Sequence, residues 1–232
     1  MSESATPGSA FDYTQGVDYP VRVEVPMPRD LFDRLTDHDH APICRYDEAT
    51  GRAEFLAMPG MSHEGRAALV TQLFAHVEAA LVDRGPWPGF LHSGSLRLLS
   101  DDGAFEPDAS LYVNPSRAIA VTEVEGYLDT HRGYPVPDLV VEVDRSVNSR
   151  SKLVPYFRMG VREAWIWSRP HGASIWIPDT TAHDGMVLAE SSVVMPGITL
   201  EDLDLLLADG SREERFHLSR AMALRVADGW AT

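Results

Sequence analysis

PDLVVEVDRSVNSRSKLVPYFRMGVREAWIWS, Pro137 to Ser168, carries two apolar runs separated by a polar turn and a short segment ending in glycine. DLVVEVD is nearly continuous in apolar residues, as expected of a strand covered on both faces. REAWIWS reads as a second strand. VNSRSKLVPYFRMG between them reads as a short helix ended by Gly160. Pro155 falls inside that helix. It either sits in the first turn, where its missing N–H costs nothing, or breaks the helix. Strand, helix and strand together make a helical crossover in a central sheet, so the fold class is α/β or α+β.

Further strands extend outward from this unit. FLHSGSLRLL and ASLYV precede it, and ASIWIP and MVLAESSVV follow. RYDEATGRAEFLAM reads as a hairpin turning at Glu48–Gly51. Ser62 to Asp83 gives the clearest helix: Ala67, Val70, Phe74, Val77 and Leu81 recur at helical spacing. Ser62 is placed as its N-cap, and GPWPG ends it. RDLFDRLTDHD, PGITLEDLDLLL and SREERFHLSRAMALRVADG supply three more helix candidates. The expected organisation is an N-terminal extension over 1–42, a core domain over 43–207 and a C-terminal helix over 208–232, with residues 1–20 as a loose tail.

Composition narrows the function classes. No apolar run is long enough to span a membrane. The N-terminus lacks the basic and apolar regions of a secretory signal, so a cytoplasmic location is expected. The single cysteine, Cys44, excludes an internal disulfide and a cysteine-rich zinc module. GxxxxGK[ST], GxGxxG and GxSxG are all absent. The formal net charge of −15 argues against a broad electrostatic footprint for nucleic acid. It leaves room for a local basic cleft, or for a divalent ion that offsets carboxylates.

One residue stands out against that background. Lysine and arginine together number 20, and Lys152 is the single lysine. Three features converge on it. Asp108 opens the ASLYV strand. Glu142 and Asp144 stand two apart on a strand, hence on one face. Lys152 follows ten residues after Glu142, with Tyr156 a helical turn further on. Carboxylates from neighbouring strands make a hard-oxygen site suited to Mg²⁺. A nearby ammonium can orient or deprotonate water and stabilise a phosphate's developing charge. Arginine cannot act as the base, because it stays protonated at any working pH. A carboxylate inside LVVEV is costly unless paired or metal-bound, which singles out Glu142. Asp144 reads equally well as a helix cap, a solvated residue or a site member. His38 and His40 in DHDH read as solvated. Trp165, Trp167 and Trp176 read as core or subunit interface rather than a base-stacking platform.

PDLVVEV, the Ser/Arg-containing turn, KLxxYxxxGVxEAWI and the late PGITL together resemble the Uma2 family of restriction-endonuclease-like proteins, within the PD-(D/E)XK nuclease superfamily. The resemblance covers residues 45–207. It implies a restriction-endonuclease-like core, a mixed central β-sheet flanked by helices. It implies a metal-dependent endonuclease acting on DNA with Mg²⁺ or Mn²⁺, and a homodimer is expected. Asp108 matches the first metal carboxylate and Glu142 the second. The superfamily's usual lysine position, two after that acid, is occupied by Asp144. Lys152 fits the members whose lysine has moved onto the following helix. Glu54 matches an acidic residue of the first hairpin, and Tyr156 and Asp144 are accessory candidates. The turn DRSVNSRS departs from the family's Ser-Pro-Ser-like pattern. A catalytically silent nuclease fold, serving as a binding or assembly module, is the alternative.

Overall fold

A computed structural model describes residues 22–36, 44–56, 61–84, 91–93, 96–122, 124, 127–144 and 149–230. Twelve strands and six α-helices are formed among them. One sheet contains β1 (Arg22–Pro26), β2 (Cys44–Asp47), β3 (Arg52–Leu56), β5 (Arg97–Ser100), β6 (Gly103–Phe105) and β8 (Tyr127–Asp129), in the order β1-β3-β2-β6-β5-β8. The other contains β4 (Leu91–Ser93), β7 (Ala109–Tyr112), β9 (Leu139–Asp144), β10 (Glu163–Ser168), β11 (Gly172–Pro178) and β12 (Met186–Ala189), in the order β12-β11-β10-β9-β7-β4. The helices are α1 (Arg29–Thr36), α2 (Met61–Val82), α3 (Pro115–Val121), α4 (Leu153–Met159), α5 (Leu200–Leu207) and α6 (Arg212–Trp230).

The crossover organises the second sheet. β9 and β10 run parallel, joined through α4, while β7 pairs with β9 antiparallel. A parallel pair needs such a connection because its ends lie at opposite edges. All six residues of β9 are buried. Val141, Val143, Trp165 and Trp167 face α2, α5 and α6, in one cluster with Phe74, Val77, Leu203, Met222 and Val226. Val140, Ala164 and Ile166 face the other way, with Leu153 and Tyr156 of α4 and with Leu98, Phe105 and Leu128 of the first sheet. Coverage on both faces accounts for the unbroken apolar pattern of LVVEV. The tryptophans of β10 are core residues. Trp165 packs on Phe74 with centroids 6.2 Å apart, and the Arg66 guanidinium lies 4.2 Å from the Trp167 ring centroid.

Local chemistry sets the ends of α4. Pro155 occupies the first turn, so the proline does not interrupt the helix. Gly160 adopts φ 86°, and its N–H reaches back to the carbonyl of Phe157. The hairpin around Gly51, the crossover and the helices α1, α2, α5 and α6 follow the sequence pattern.

Several expectations are corrected. FLHSGSLRLL does not form one strand: β4 and β5 belong to different sheets. MVLAESSVV is strand only as far as Ala189. α2 begins at Met61, which places Ser62 inside its first turn rather than before it. The expected mixed sheet flanked by helices is present, accompanied by a second mixed sheet. Before residue 43, β1 pairs with β3, and beyond 207, α6 packs its Met222, Ala223 and Val226 into the α2 side of the core. Residues 1–20 and the DHDH histidines, His38 and His40, lie outside the described residues.

A buried acid ties the end of the fold to its centre. Glu163 is fully buried at the start of β10. Its carboxylate accepts from the backbone N–H groups of Val193 (2.7 Å) and Val194 (2.9 Å) and from the Trp165 indole. Replacing it with alanine orphans two buried donors and a third, half-buried one. Glu163→Ala is expected to lower unfolding free energy by at least about 3 kcal/mol, and Glu163→Gln by less, both read from denaturant midpoints.

Candidate active site

Strand register brings the sequence candidates together. Ala109 pairs with Val141 and Ser110 with Val140. Continuing that register by one residue sets Asp108 opposite Glu142, and directly opposed residues share a face. The Asp108 carboxylate accepts from the Val143 N–H at 2.6 Å. Glu142 and Asp144, two apart on β9, lie on the face that carries α4.

Glu142 is 2% exposed. Lys152 Nζ lies 2.6 Å from its Oε2, and the Tyr156 hydroxyl donates to its Oε1. The Ser149 hydroxyl also points at Oε2, at 3.4 Å. Burial pushes the Glu142 carboxyl up to about 7, opposed by the Lys152 ammonium and reinforced by the Asp108 charge. Burial and Glu142 hold the Tyr156 phenol well above its ordinary value, so it stays a donor.

Asp144 is occupied differently. It accepts from the Ser149 backbone N–H at 2.7 Å and from the Ser149 hydroxyl at 2.5 Å. Burial raises its carboxyl despite these two bonds. Ser149 opens a 3-10 turn, Ser149–Lys152, that runs directly into α4. Asp144 thus acts as a cap for the turn that presents Lys152.

Glu54 sits on β3 in the first sheet, 5% exposed and ion-paired with Arg45. The Arg45 charge acts on the Tyr156 phenol, so this pair lies close to the cluster. An open cleft of about 410 Å³ adjoins it, lined in part by Arg45, Tyr46, Phe105, Ser151 and Pro155. Four carboxylates also line it: Asp47, Glu48, Asp101 and Asp102. Arg29 pairs with Glu48 and Arg158 with Asp102, which offsets part of that charge.

A divalent ion is consistent with the donor chemistry. Asp108 and Glu142 are facing carboxylates, and the first raises the proton affinity of the second. A cation between them relieves that repulsion. Among the described residues no group of three or more His, Cys, Asp or Glu side chains is arranged to hold a metal, so these two carboxylates would need completion by main-chain oxygen or water.

Residues 30–183 match the model of Uma2, described as "Putative restriction endonuclease". The chain belongs to the Uma2 family. A solved crystal structure of "a putative nuclease belonging to DUF820" from Anabaena variabilis ATCC 29413 is 18% identical, with a TM-score of 0.55 over 79% of this chain and 100% of that one. At that identity the likeness shows the fold, a nuclease fold. No curated protein matches the sequence. No helix among the described residues is long and apolar enough to cross a membrane.

Within this Uma2 chain, Glu142, Lys152 and Tyr156 meet directly, Asp108 stands beside them, and Glu54 pairs with Arg45 on β3. The sequence reading missed Ser149. Five residues separate it from Asp144, beyond the two or three of an N-cap bond, so no local pattern marked it. It also missed Asp138, which is fully buried. Asp138 accepts from the N–H groups of Val113 and Asn114 and pairs with Arg117 at 3.1 Å.

The Glu142 shift has a stability consequence. Its carboxyl binds a proton more tightly when folded, near 7, than at the ordinary value of 4.5. The stabilising contribution is therefore complete below about pH 4.5 and is lost as pH rises through about 7. In metal-free protein, the stability of wild type relative to Glu142→Gln should fall by about 3 kcal/mol over that interval, as read by urea unfolding at a series of pH values.

Proposed function

We propose that this Uma2 protein is a divalent-metal-dependent endonuclease that hydrolyses DNA phosphodiester bonds, with Mg²⁺ or Mn²⁺ as its ion. The observation that carries this reading is the facing pair Asp108 and Glu142 with the chain's single lysine 2.6 Å from one of them. Asp108 and Glu142 hold the ion, which supplies Lewis acidity at the phosphate. Lys152 orients the attacking water and offsets charge that builds on the phosphate oxygens. Tyr156 fixes the Glu142 carboxylate by donating to its second oxygen. Glu54 acts at a distance, by holding Arg45 at the mouth of the cleft. A homodimer would set two such sites on the two strands of a duplex.

The catalytically silent reading also has an observation in its favour. Both oxygens of Glu142 already accept from the chain's own side chains. A binding module could keep that cluster purely as buried structure. Metal separates the two readings, since an ion that binds only the folded state stabilises it by about 2.7 kcal/mol at a hundred times its dissociation constant.

Plasmid, linear and single-stranded DNA should be incubated with wild type, Lys152→Arg and Glu142→Ala at low salt with Mn²⁺ or Mg²⁺. The expected result is metal-dependent cutting by wild type, reduced on the order of a hundredfold or more in both variants. No cutting on any substrate, with no metal-induced rise in Tm, would move the assignment to the binding module.

A further inference from the structure

Lys152 reaches Glu142 from a turn, not from a regular helix. Lys152 is the N-cap residue of α4, and its side chain makes no capping bond there. The first residue of the turn, Ser149, is 3% exposed and is gripped by Asp144, 7% exposed, through two bonds of 2.7 Å and 2.5 Å. The same Ser149 hydroxyl lies 3.4 Å from the Glu142 oxygen that receives Lys152. Asp144 and Glu142 project from one strand, two residues apart. One rigid strand therefore fixes both ends of the segment: Asp144 holds its start, and Glu142 receives the ammonium three residues later.

We propose that Asp144 and Ser149 form a latch that positions Lys152, so that an aspartate at this strand position does by geometry what a lysine on the strand itself would do directly. A lysine on β9 would be oriented by the sheet. A lysine displaced onto a turn loses that orientation unless the turn is anchored to the same strand. The Asp144–Ser149 pair is that anchor. Both are positioning residues that act through Lys152. The catalytic consequence rests on the nuclease reading above; the geometric consequence does not.

The single lysine makes the test selective. Wild type, Asp144→Ala and Ser149→Ala should be acylated under native conditions with an N-hydroxysuccinimide acetate. Modification at Lys152 is then followed by peptide mass mapping, which separates it from the α-amino group. The latch predicts acylation of Lys152 about tenfold faster in both variants. Glu163→Ala, which weakens the fold elsewhere, should leave the folded-state rate unchanged. If an alanine variant does not fold, Asp144→Asn, which keeps an acceptor for the Ser149 N–H, carries the same measurement with a smaller acceleration. Wild-type rates in the folded latch variants would overturn the proposal. In the cleavage assay the latch variants should lose kcat on the order of a hundredfold with KM unchanged, and a rise in KM at constant kcat would equally overturn it. If wild type cuts nothing, the nuclease reading fails while the acylation rates still decide the latch.

Discussion

A carboxylate buried in an apolar sheet face is the constraint on which this site depends. Glu142 replaces what would otherwise be a fifth aliphatic residue in β9, and it is 2% exposed. An ionised group there is costly unless paired. The chain meets that cost from the next element in sequence. Lys152 and Tyr156, one helical turn apart, approach the two oxygens separately. The crossover between β9 and β10 therefore both connects parallel strands and supplies the partners of the buried acid. Shortening or re-registering that crossover would strand the carboxylate.

Three other acids in the same region clarify what sets Glu142 apart. Asp138 and Glu163 are fully buried, and each accepts from a pair of main-chain amides that the fold fixes in place. Asp144 accepts from one main-chain amide and one hydroxyl. Glu142 accepts from an ammonium and a phenol, both on side chains that can rotate away. A site that must exchange its partners for an ion or a substrate requires that kind of donor. The contrast is between buried acids anchored by main-chain amides and one held by side chains alone.

Much of this was legible in the sequence. The apolar run LVVEV, the glycine at 160 and the second run WIW specify strand, short helix and strand through local pattern alone. Glu142, Lys152 and Tyr156 could be assembled because their spacings are short and the elements regular. The separation of FLHSGSLRLL into two sheets could not be read, because pairing partners are set by tertiary contacts that periodicity does not encode. The short β6 and β8 went unread for the same reason, having three residues each. α3 was missed although Asn114 and Pro115 form a recognisable start, with the Asn114 side chain accepting from Ser116 and Arg117. Glu54 entered the candidate set by hairpin position, and its strand belongs to the first sheet, where it pairs with Arg45. Ser149 escaped because its role exists only once Asp144 is placed beside it.

In the proposed reading, Asp108 and Glu142 would form a cation site on the face of β9 that carries α4. Anomalous diffraction from crystals soaked in Mn²⁺ tests it most directly. The account predicts a peak between the Asp108 and Glu142 carboxylates, with Lys152 still on that face of the sheet. A Mn²⁺ peak elsewhere on the molecule, or an unchanged Lys152–Glu142–Tyr156 cluster with no ion between the two carboxylates at saturating Mn²⁺, would contradict it.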